Sequence, residues 1–280
     1  ILTYSFVSPR GVDKINLPAD DEKRNFVKIM NPLGEETSVM RTTLIPNMLD
    51  VISTNISHKV EEVSAFECGN TFIPQEGLPI ETKKYCVGMY GKEVDFFVLK
   101  GVIESVLNNV GLKGYEIEPE TTNLTFHPGR CAKIVYNNIY IGTFGELHPD
   151  VIENYNLGQR VYVAEINIDT VFENLNLTKS YNPLPKYPST SRDIALIVKD
   201  EVFVKQIEDI IKANGEDLVE SYKLFDVYKG AQIEEGHKSI AYSITYRSKD
   251  KTLTDEDVAK VHEKILSELS EKLNANLRSN

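Results

Sequence analysis

The hydrophobic positions of this chain follow two different spacings, and together they predict an α+β fold. Apolar residues recur every three or four positions after Pro46 and again after Asp95, which is the spacing of amphipathic helices. Other apolar runs are short and rich in β-branched and aromatic residues, as strands are. The predicted strands of the first part are 3–7, 63–72, 85–90, 131–136, 139–143 and 161–168. Hairpin-linked strands with segregated helices favour an antiparallel sheet with flanking helices.

The pattern after residue 190 predicts a second, smaller unit with the order strand, helix, strand, strand, helix, strand. These elements are expected at 192–198, 202–213, 218–228, 238–247, 254–273 and 275–278. This order is that of the ferredoxin-like split βαβ fold, whose helices cover one sheet face and leave the other open. Alternation along 238–247 points Ile240 and Tyr242 toward the helices and leaves Ser239 and Ala241 on the open face.

A proline-rich stretch separates the two patterns. Pro183, Pro185 and Pro188 each fix φ and remove a backbone donor, so this stretch can form neither a helix nor a central strand. We therefore predict a stiff linker at 181–190 between a unit of residues 1–180 and a unit of residues 191–280.

Composition and charge narrow the possible functions. The 280 residues carry a formal net charge of −11, with most of the acidic excess before residue 182, which argues against a general polyanion binder. No apolar run reaches the length of a membrane span, and the first residues lack the basic region of a signal peptide. We expect a cytoplasmic protein without membrane contact. The odd number of cysteines, three, predicts buried free thiols rather than a disulfide framework.

Two His-Pro pairs are candidates for a functional site. One lies in Phe126-His-Pro-Gly-Arg130 and the other in Gly145-Glu-Leu-His-Pro149. The residues that could form a ligand site or an interface cluster there are His127, Arg130, Glu146 and His148. Alternatively, Pro-Gly makes a turn, and the His and Arg side chains bond to nearby carbonyls. The pairs are too far apart for a short-spaced metal motif, so no metal site is predicted.

The sequence lacks several motifs of nucleotide chemistry. None of the sixteen glycines lies two residues from another, which excludes the dinucleotide fingerprint. The glycine-rich phosphate loop, the G-x-S-x-G elbow and H-E-x-x-H are also missing. No catalytic residue is predicted.

Several segments, in order along the chain, resemble the β subunits of bacterial phenylalanyl-tRNA synthetases. In the second unit, segments that resemble the ferredoxin-fold anticodon-binding domain of that family are Pro188-Ser-Thr-Ser-Arg-Asp-Ile-Ala-Leu-Ile-Val198, Leu224-Phe-Asp-Val-Tyr-Lys-Gly230, Lys238-Ser-Ile-Ala-Tyr242 and Thr252-Leu-Thr-Asp-Glu-Asp-Val258. In the first unit the matching segments are Thr3-Tyr-Ser-Phe-Val7, Asn31-Pro-Leu33, Ser38-Val-Met-Arg-Thr42, Asp95-Phe-Phe97 with Lys100-Gly101, and both His-Pro segments.

The resemblance implies a catalytically inactive class II synthetase-like core in residues 1–180 and an anticodon-binding domain in residues 191–280. It implies pairing with a catalytic α subunit in an (αβ)₂ heterotetramer, where the α subunit binds ATP and Mg²⁺ and this chain binds no cofactor. Family members often read Glu-x-Gly-Arg after the first helix, whereas this chain has Glu67-Cys-Gly-Asn70, which makes ATP binding here still less expected.

The resemblance further implies contact with the tRNA specific for phenylalanine. Residues of the second unit that it puts forward are Arg192, Lys223, Tyr228, Lys238, Arg247 and Arg278. Arginine and lysine would meet phosphates, and Tyr228 could stack on a base. Each of them could instead be a solvated side chain at a strand edge.

Two other functions are compatible with the residues. One is a free-standing ferredoxin-like module for protein interaction or small-ligand regulation, and the other is an independent enzyme that uses His127, Arg130 and His148. Two structural features are also expected. The apolar face of the helix after Pro46 should be covered by an α subunit or a second copy, and Gly101 should mark a place of close packing.

Overall fold

Two antiparallel sheets organise the part of the chain that the computed structural model describes, residues 1–178, 181, 183–230 and 232–278. The chain divides into two units, Ile1–Lys179 and Ser180–Asn280. Residues 179, 180 and 182, at the predicted domain joint and in the predicted linker, lie outside the described residues. Residues 183–189 form neither a helix nor a strand.

The helices of the described residues are α1 (Gly11–Lys14), α2 (Ile45–Ser57), α3 (Phe96–Asn109), α4 (Pro149–Asn154), α5 (Ile168–Asn174), α6 (Val204–Asn214) and α7 (Asp255–Leu273). The strands of the described residues are β1 (Phe6–Val7), β2 (Val39–Met40), β3 (Val63–Ile73), β4 (Ile80–Tyr90), β5 (Glu116–Pro119), β6 (Phe126–Tyr136), β7 (Ile139–Leu147), β8 (Tyr162–Asn167), β9 (Thr190–Lys199), β10 (Val219–Tyr228), β11 (His237–Tyr246) and β12 (Asn276–Leu277).

A six-stranded antiparallel sheet, in the order β3-β4-β8-β7-β6-β5, forms the centre of the first unit. Helix α2 belongs to one buried cluster with Cys86, and helix α3 belongs to another with Val87. Consecutive strand residues point to opposite faces, so the two helices cover opposite faces of the sheet. A Cβ on Gly88 would lie 2.5 Å from Met48 Cγ, and the missing side chain therefore lets α2 approach the sheet closely.

Helix α3 begins at a side-chain cap and ends before a glycine. The Asp95 carboxylate accepts a hydrogen bond from the Val98 N–H at 2.8 Å, which caps the first turn. Gly111, just past the last turn, has a φ of +75°, which glycine adopts without strain.

Two expectations about these helices are wrong. The apolar side chains of α2, among them Met48, Leu49 and Ile52, are buried in the core of their own unit, so this face is not available to another chain. A Cβ on Gly101 would meet no atom within 4 Å, so this glycine marks no close packing.

Several strand boundaries also differ from the prediction. The first strand has only two residues instead of the predicted 3–7. The strand predicted at 131–136 begins at Phe126, so Phe126-His-Pro-Gly-Arg130 is a strand segment with a register shift, not a tight turn. Of the three cysteines, all free, Cys68 is exposed, contrary to the prediction that all would be buried.

The second unit has the sheet order β10-β11-β9-β12, with every neighbouring pair antiparallel. Helices α6 and α7 pack on one face, where the inward side chains Ile240, Tyr242, Ile244 and Tyr246 are all buried. This is the predicted split βαβ arrangement, and the α+β fold class is confirmed. At the start of α7, Thr254 Oγ1 accepts from the Asp257 N–H at 3.2 Å, and the Asp257 carboxylate accepts from the Thr254 N–H at 3.1 Å.

Candidate nucleic-acid interface

The face of the second sheet that turns away from α6 and α7, called the open face below, carries the candidate interface. Because Ile194, Leu196, Ile240 and Tyr242 point to the helices, their neighbours in the strands point to the open face. The strand register places the side chains of this face in rows. Two of these rows join Tyr228 to Ser239 and Ile197, and Lys223 to Ser243 and Asp193.

Tyr228 and Arg278 approach each other across this face. The Arg278 Cζ lies 5.5 Å from the centre of the Tyr228 ring, which is within the range of a cation–π contact. The Arg278 guanidinium also donates from Nη2 to Gln232 Oε1 at 2.9 Å. The Arg278 N–H bonds to the Ala195 carbonyl at 2.9 Å, so this residue extends the pairing of β12. The two residues come from opposite edges of the sheet, and their side chains meet over its centre.

Gly230 leaves the space that the Tyr228 side chain fills. A Cβ on Gly230 would collide with the Tyr228 hydroxyl and with its Cζ, at 2.6 Å from the latter. Any larger residue at position 230 would therefore displace the tyrosine.

Small residues of the central strand are less accessible than the sequence suggested. Ser239 and Ala241 are 3 % and 7 % exposed, although they lie on the open face. Side chains from the flanking strands must shield them, and Tyr228 is the direct register neighbour of Ser239. A ligand that approaches here meets the Tyr228–Arg278 pair before it meets the small residues.

A pocket of about 310 Å³ lies beside this pair. It is lined by Asp193, Ile194, Ala195, Phe225, Leu277 and Arg278. Phe225 is 55 % exposed, next to a register shift in β10, and offers a second aromatic surface. Asp193 was missed as a candidate, although the alternation with Ile194 and Leu196 already places it on the open face.

Two further candidates, Lys223 and Arg247, also lie on or beside this face. Lys223 is exposed, and among the described residues no ion pair of it is found. Arg247 directly follows β11, where its Nε lies 2.9 Å from Glu220 Oε1 and its Nη1 donates to the Tyr187 carbonyl at 2.6 Å. Arg247 is thus engaged within the unit, whereas Lys223 is available.

Arg192 and Lys238 do not join this group. In the register, Arg192 is opposite Ile244 and Lys238 is opposite Val198, so both lie on the helix-covered side. Arg192 pairs with Asp255 at 2.9 Å, and Lys238 Nζ donates to the Asp200 carbonyl at 2.8 Å. Partial burial lowers the pKa of Lys238. The structure therefore brings Tyr228 and Arg278 together, places Lys223 on the same face, and leaves Arg192 and Lys238 on the other side.

The His-Pro cluster of the first unit separates into an ion pair and two local contacts. Arg130 Nη1 donates to Glu146 Oε1 at 2.8 Å, and Tyr162 donates to Glu146 Oε2 at 3.1 Å. His127 Nδ1 accepts from the Gly129 N–H at 3.0 Å, and His148 Nδ1 accepts from the Asp150 N–H at the start of α4 at 3.2 Å. Each histidine thus bonds to the backbone two residues further on in its own segment, and among these four described residues the contacts form no common ligand site.

A larger groove of about 780 Å³ lies in the first unit, between the first residues of the chain and the outer side of α2. Leu2 and Tyr4, which line it, are 90 % and 84 % exposed. Tyr155 also lines it, and its hydroxyl is buried without a hydrogen-bond partner. The groove therefore combines exposed apolar side chains at its rim with polar side chains such as Asn47, Asp50 and Thr54.

The residues at Glu67-Cys-Gly-Asn70 do not fit an ATP–Mg²⁺ site. Glu67 is buried and bonds to the Arg41 guanidinium at 2.9 Å and to the Thr3 hydroxyl at 2.7 Å, so both carboxylate oxygens are occupied. The space above Gly69 is filled by the Arg41 guanidinium. Within the described ranges, no group of three or more His, Cys, Asp or Glu side chains is placed to hold a metal ion. None of the helices described there has the length and apolar character needed to cross a membrane.

Comparison with known proteins assigns both units. A sequence model for the phenylalanyl tRNA synthetase beta chain CLM domain matches residues 1–168, and one for the ferredoxin-fold anticodon binding domain matches residues 185–278. Two relatives named phenylalanine–tRNA ligase beta subunit, from Clostridium tetani and Clostridium acetobutylicum, are each 47 % identical over 99 % of this chain. A third, from Symbiobacterium thermophilum, is 37 % identical over the whole chain. The chain spans about a third of their length, 35 %, 35 % and 32 % respectively. The resemblance found in the sequence is confirmed: the chain belongs to the phenylalanyl-tRNA synthetase β-chain family.

Proposed function

We propose that this chain is a non-catalytic part of a phenylalanine–tRNA ligase and that its second unit contacts the anticodon stem-loop of the tRNA specific for phenylalanine. The observation that carries this proposal is the Tyr228–Arg278 contact, with Lys223 on the same face, in the unit that matches the anticodon-binding domain. Bases of single-stranded loops stack on aromatic side chains, and lysine and arginine meet phosphates.

Charge sets the expected strength of this contact. Asp193 lies on the same face as Lys223 and Arg278, so the face is not uniformly basic. A carboxylate repels phosphate but can accept a hydrogen bond from a base amino group. We therefore expect weak, salt-dependent and base-selective binding by this chain, with the rest of the tRNA affinity supplied by the whole enzyme.

The catalytic chemistry belongs to a partner in this proposal. ATP and Mg²⁺ are bound by an α subunit, and the complete enzyme is an (αβ)₂ heterotetramer in the cytoplasm. Support comes from the Glu67 site, whose side chains are used within the fold. The residues 1–180 then form the inactive synthetase-like scaffold, and the residues 191–280 form the tRNA-contacting domain after a linker at 181–190.

The groove beside α2 is the surface on which we place the α subunit. The apolar face of α2 is already buried, whereas Leu2 and Tyr4 remain exposed at the groove. Aromatic residues at the centre of a protein interface often carry much of its binding free energy. Replacement of Tyr4 by Ala should weaken co-purification with the α subunit, and the control Phe225→Ala, in the other unit, should leave it unchanged.

Three experiments test the proposed function. An electrophoretic shift assay should show that the chain binds the tRNA specific for phenylalanine more tightly than an unrelated tRNA. Co-expression with the α subunit should yield a complex that joins phenylalanine to tRNA, and the isolated chain should form no phenylalanyl-adenylate. Adenylate formation by the isolated chain would instead support the independent enzyme built on His127, Arg130 and His148.

A further inference from the structure

The side chain of Arg278 occupies the surface of Tyr228 on which a base would stack. Its Cζ is 5.5 Å from the ring centre. On the side of Gly230 the tyrosine is also enclosed, since no side chain would fit there. The ring therefore has little free surface in the protein without RNA.

Arg278 is fixed at two points. Its backbone N–H bonds to the Ala195 carbonyl at 2.9 Å, which anchors the end of β12 to the sheet. Its guanidinium bonds to Gln232 Oε1 at 2.9 Å, while both it and Gln232 remain accessible to solvent. The backbone anchor is part of the sheet, but the side-chain contacts are two weak interactions that solvent can replace.

We propose that Arg278 is a latch on the RNA site: it covers the ring of Tyr228 in the free protein, and a nucleobase replaces it on the ring when RNA binds. The proposal rests on the proposed function of the open face. Stacking of a base on an aromatic ring is stronger than an exposed cation–π contact, so the exchange is favourable. The released guanidinium, still tethered by its backbone, can then pair with a phosphate of the same loop.

The contact of Gln232 with Arg278 predicts that loss of a side chain will strengthen RNA binding. Gln232 holds Arg278 in the closed position, so its removal should increase the fraction of molecules with a free ring. The apparent affinity of a site is its intrinsic affinity multiplied by the fraction of molecules in which the site is open. Gln232→Ala should therefore bind an anticodon stem-loop about two- to fivefold more tightly than the parent chain. Loss of a direct RNA contact would instead weaken binding of the stem-loop.

The chain contains no tryptophan, which allows a direct readout of the ring. In a Tyr228→Trp chain, the single indole reports whether the ring is covered, through its quenching by acrylamide. Arg278→Gln in this background should raise the quenching constant of the RNA-free protein about twofold, on the order expected when one face of a ring is uncovered. Gln232→Ala should raise it in the same direction. Lys223→Gln removes a cation on the same face that does not touch the ring. It is the matched control and should leave quenching unchanged.

The experiment is a titration of the 280-residue chain with a stem-loop RNA that carries the anticodon arm of the phenylalanine tRNA, alongside a stem-loop with a scrambled loop. Tighter binding by Gln232→Ala, together with higher quenching in the RNA-free Arg278→Gln protein, is the expected result. Unchanged or weaker binding by Gln232→Ala, or unchanged quenching on removal of Arg278, overturns the latch while RNA binding itself persists. If no variant binds the stem-loop, the proposed function fails and the exchange fails with it.

Discussion

Glu67 and Arg41 show how single residues hold the first unit together. Among the described residues, this is the ion pair with both side chains most deeply buried, at 1 % and 4 % exposed. A buried charge that loses its partner remains desolvated, so removal of one member is costly. Glu67→Ala should lower the free energy of unfolding by about 3–5 kcal/mol, measured by urea denaturation.

The exposed pair of Lys100 and Glu104 on α3 is the control for this prediction. Its side chains are about one third exposed, and their 2.6 Å contact is screened by water. Glu104→Ala should change the free energy of unfolding by about 0.5 kcal/mol or less. Equal losses in the two variants would show that burial does not determine the strength of the Glu67 pair.

Gly230 is the residue on which the position of Tyr228 depends. Gly230→Ala places a methyl group against the Tyr228 hydroxyl and Cζ, so the ring must move from its place on the open face. We expect weaker binding of the anticodon stem-loop, by about tenfold, because the stacking of one base is worth about 1–3 kcal/mol. Gly34→Ala, whose added methyl meets no atom within 4 Å, is the control. Unaltered binding by Gly230→Ala would remove Tyr228 from the interface.

At this scale the sequence predicts residue types better than residue partners. It identified Tyr228 and Arg278 separately, but they are fifty positions apart, and only the sheet order brings them together. The resemblance put Arg192 and Lys238 forward with them, as cations that could meet phosphates. The alternation that buries Ile244 and Val198 already places these two on the other side.

At the scale of elements, alanine substitutions at two glycines distinguish the effect of helix propensity on stability from the effect of packing. Gly101 is in the interior of α3 with open space around its missing side chain, so Gly101→Ala should stabilise the chain by about 1 kcal/mol through helix propensity alone. Gly88→Ala should instead destabilise it, since the new Cβ would lie 2.5 Å from Met48 Cγ and 2.7 Å from Ile52 Cδ1. Thermal unfolding of the two variants measures both effects. Destabilisation by Gly101→Ala would indicate a packing partner that the structure lacks.

The start of α7 depends on its capping box. Thr254→Ala removes an acceptor for the Asp257 N–H and should cost about 1 kcal/mol in unfolding free energy. The hydrogen bond from Lys251, together with those from Thr254, lowers the pKa of Asp257 to about 2. Because this pKa is lower in the folded state, the stabilisation is complete above the unfolded value near 3.9 and is lost as the pH falls through about 2.

Acid titration of the parent chain and of Asp257→Asn, followed by circular dichroism, checks this pH dependence. The two proteins should differ in stability at pH 6 and become alike near pH 2. A difference that grows as the pH falls would contradict the assigned direction of the shift. Ser270→Ala, an exposed position on the same helix, is the control for the cap itself.

Local patterns predicted the long helices and most of the long strands but missed short elements such as α4, α5 and β5, and distant contacts decided where elements end and what covers them. The caps at Asp95 and Thr254 and the period of α6 and α7 can be recognised in the sequence, since they depend on neighbours within one turn. The partner of the apolar face of α2 was not, because an apolar stripe packs equally well on its own sheet or on another chain. The strand through Pro128 and Gly129 was missed because its pairing with β7 overrides the turn preference of these residues.

At the scale of the whole molecule, the two units divide the work that we propose. The first has the Glu67–Arg41 pair bonded within the fold and a groove with exposed Leu2 and Tyr4 at its rim, as expected of a scaffold. The second has one covered and one open sheet face, and the open face carries exposed aromatic and basic side chains. Neither unit requires a reactive group for this role.

The most direct test of this account is a salt titration of the 280-residue chain with the anticodon stem-loop of the phenylalanine tRNA. Binding should be saturable, and the logarithm of the association constant should fall linearly with the logarithm of the salt concentration. The slope should be about 0.7 per phosphate contact with single-stranded RNA. Lys223→Gln should reduce this slope by about one contact, and a scrambled loop should bind more weakly at every salt concentration. An absence of binding would contradict the claim that the open face binds this RNA. Equal affinity for the native and the scrambled loop, together with an unchanged slope for Lys223→Gln, would contradict it too.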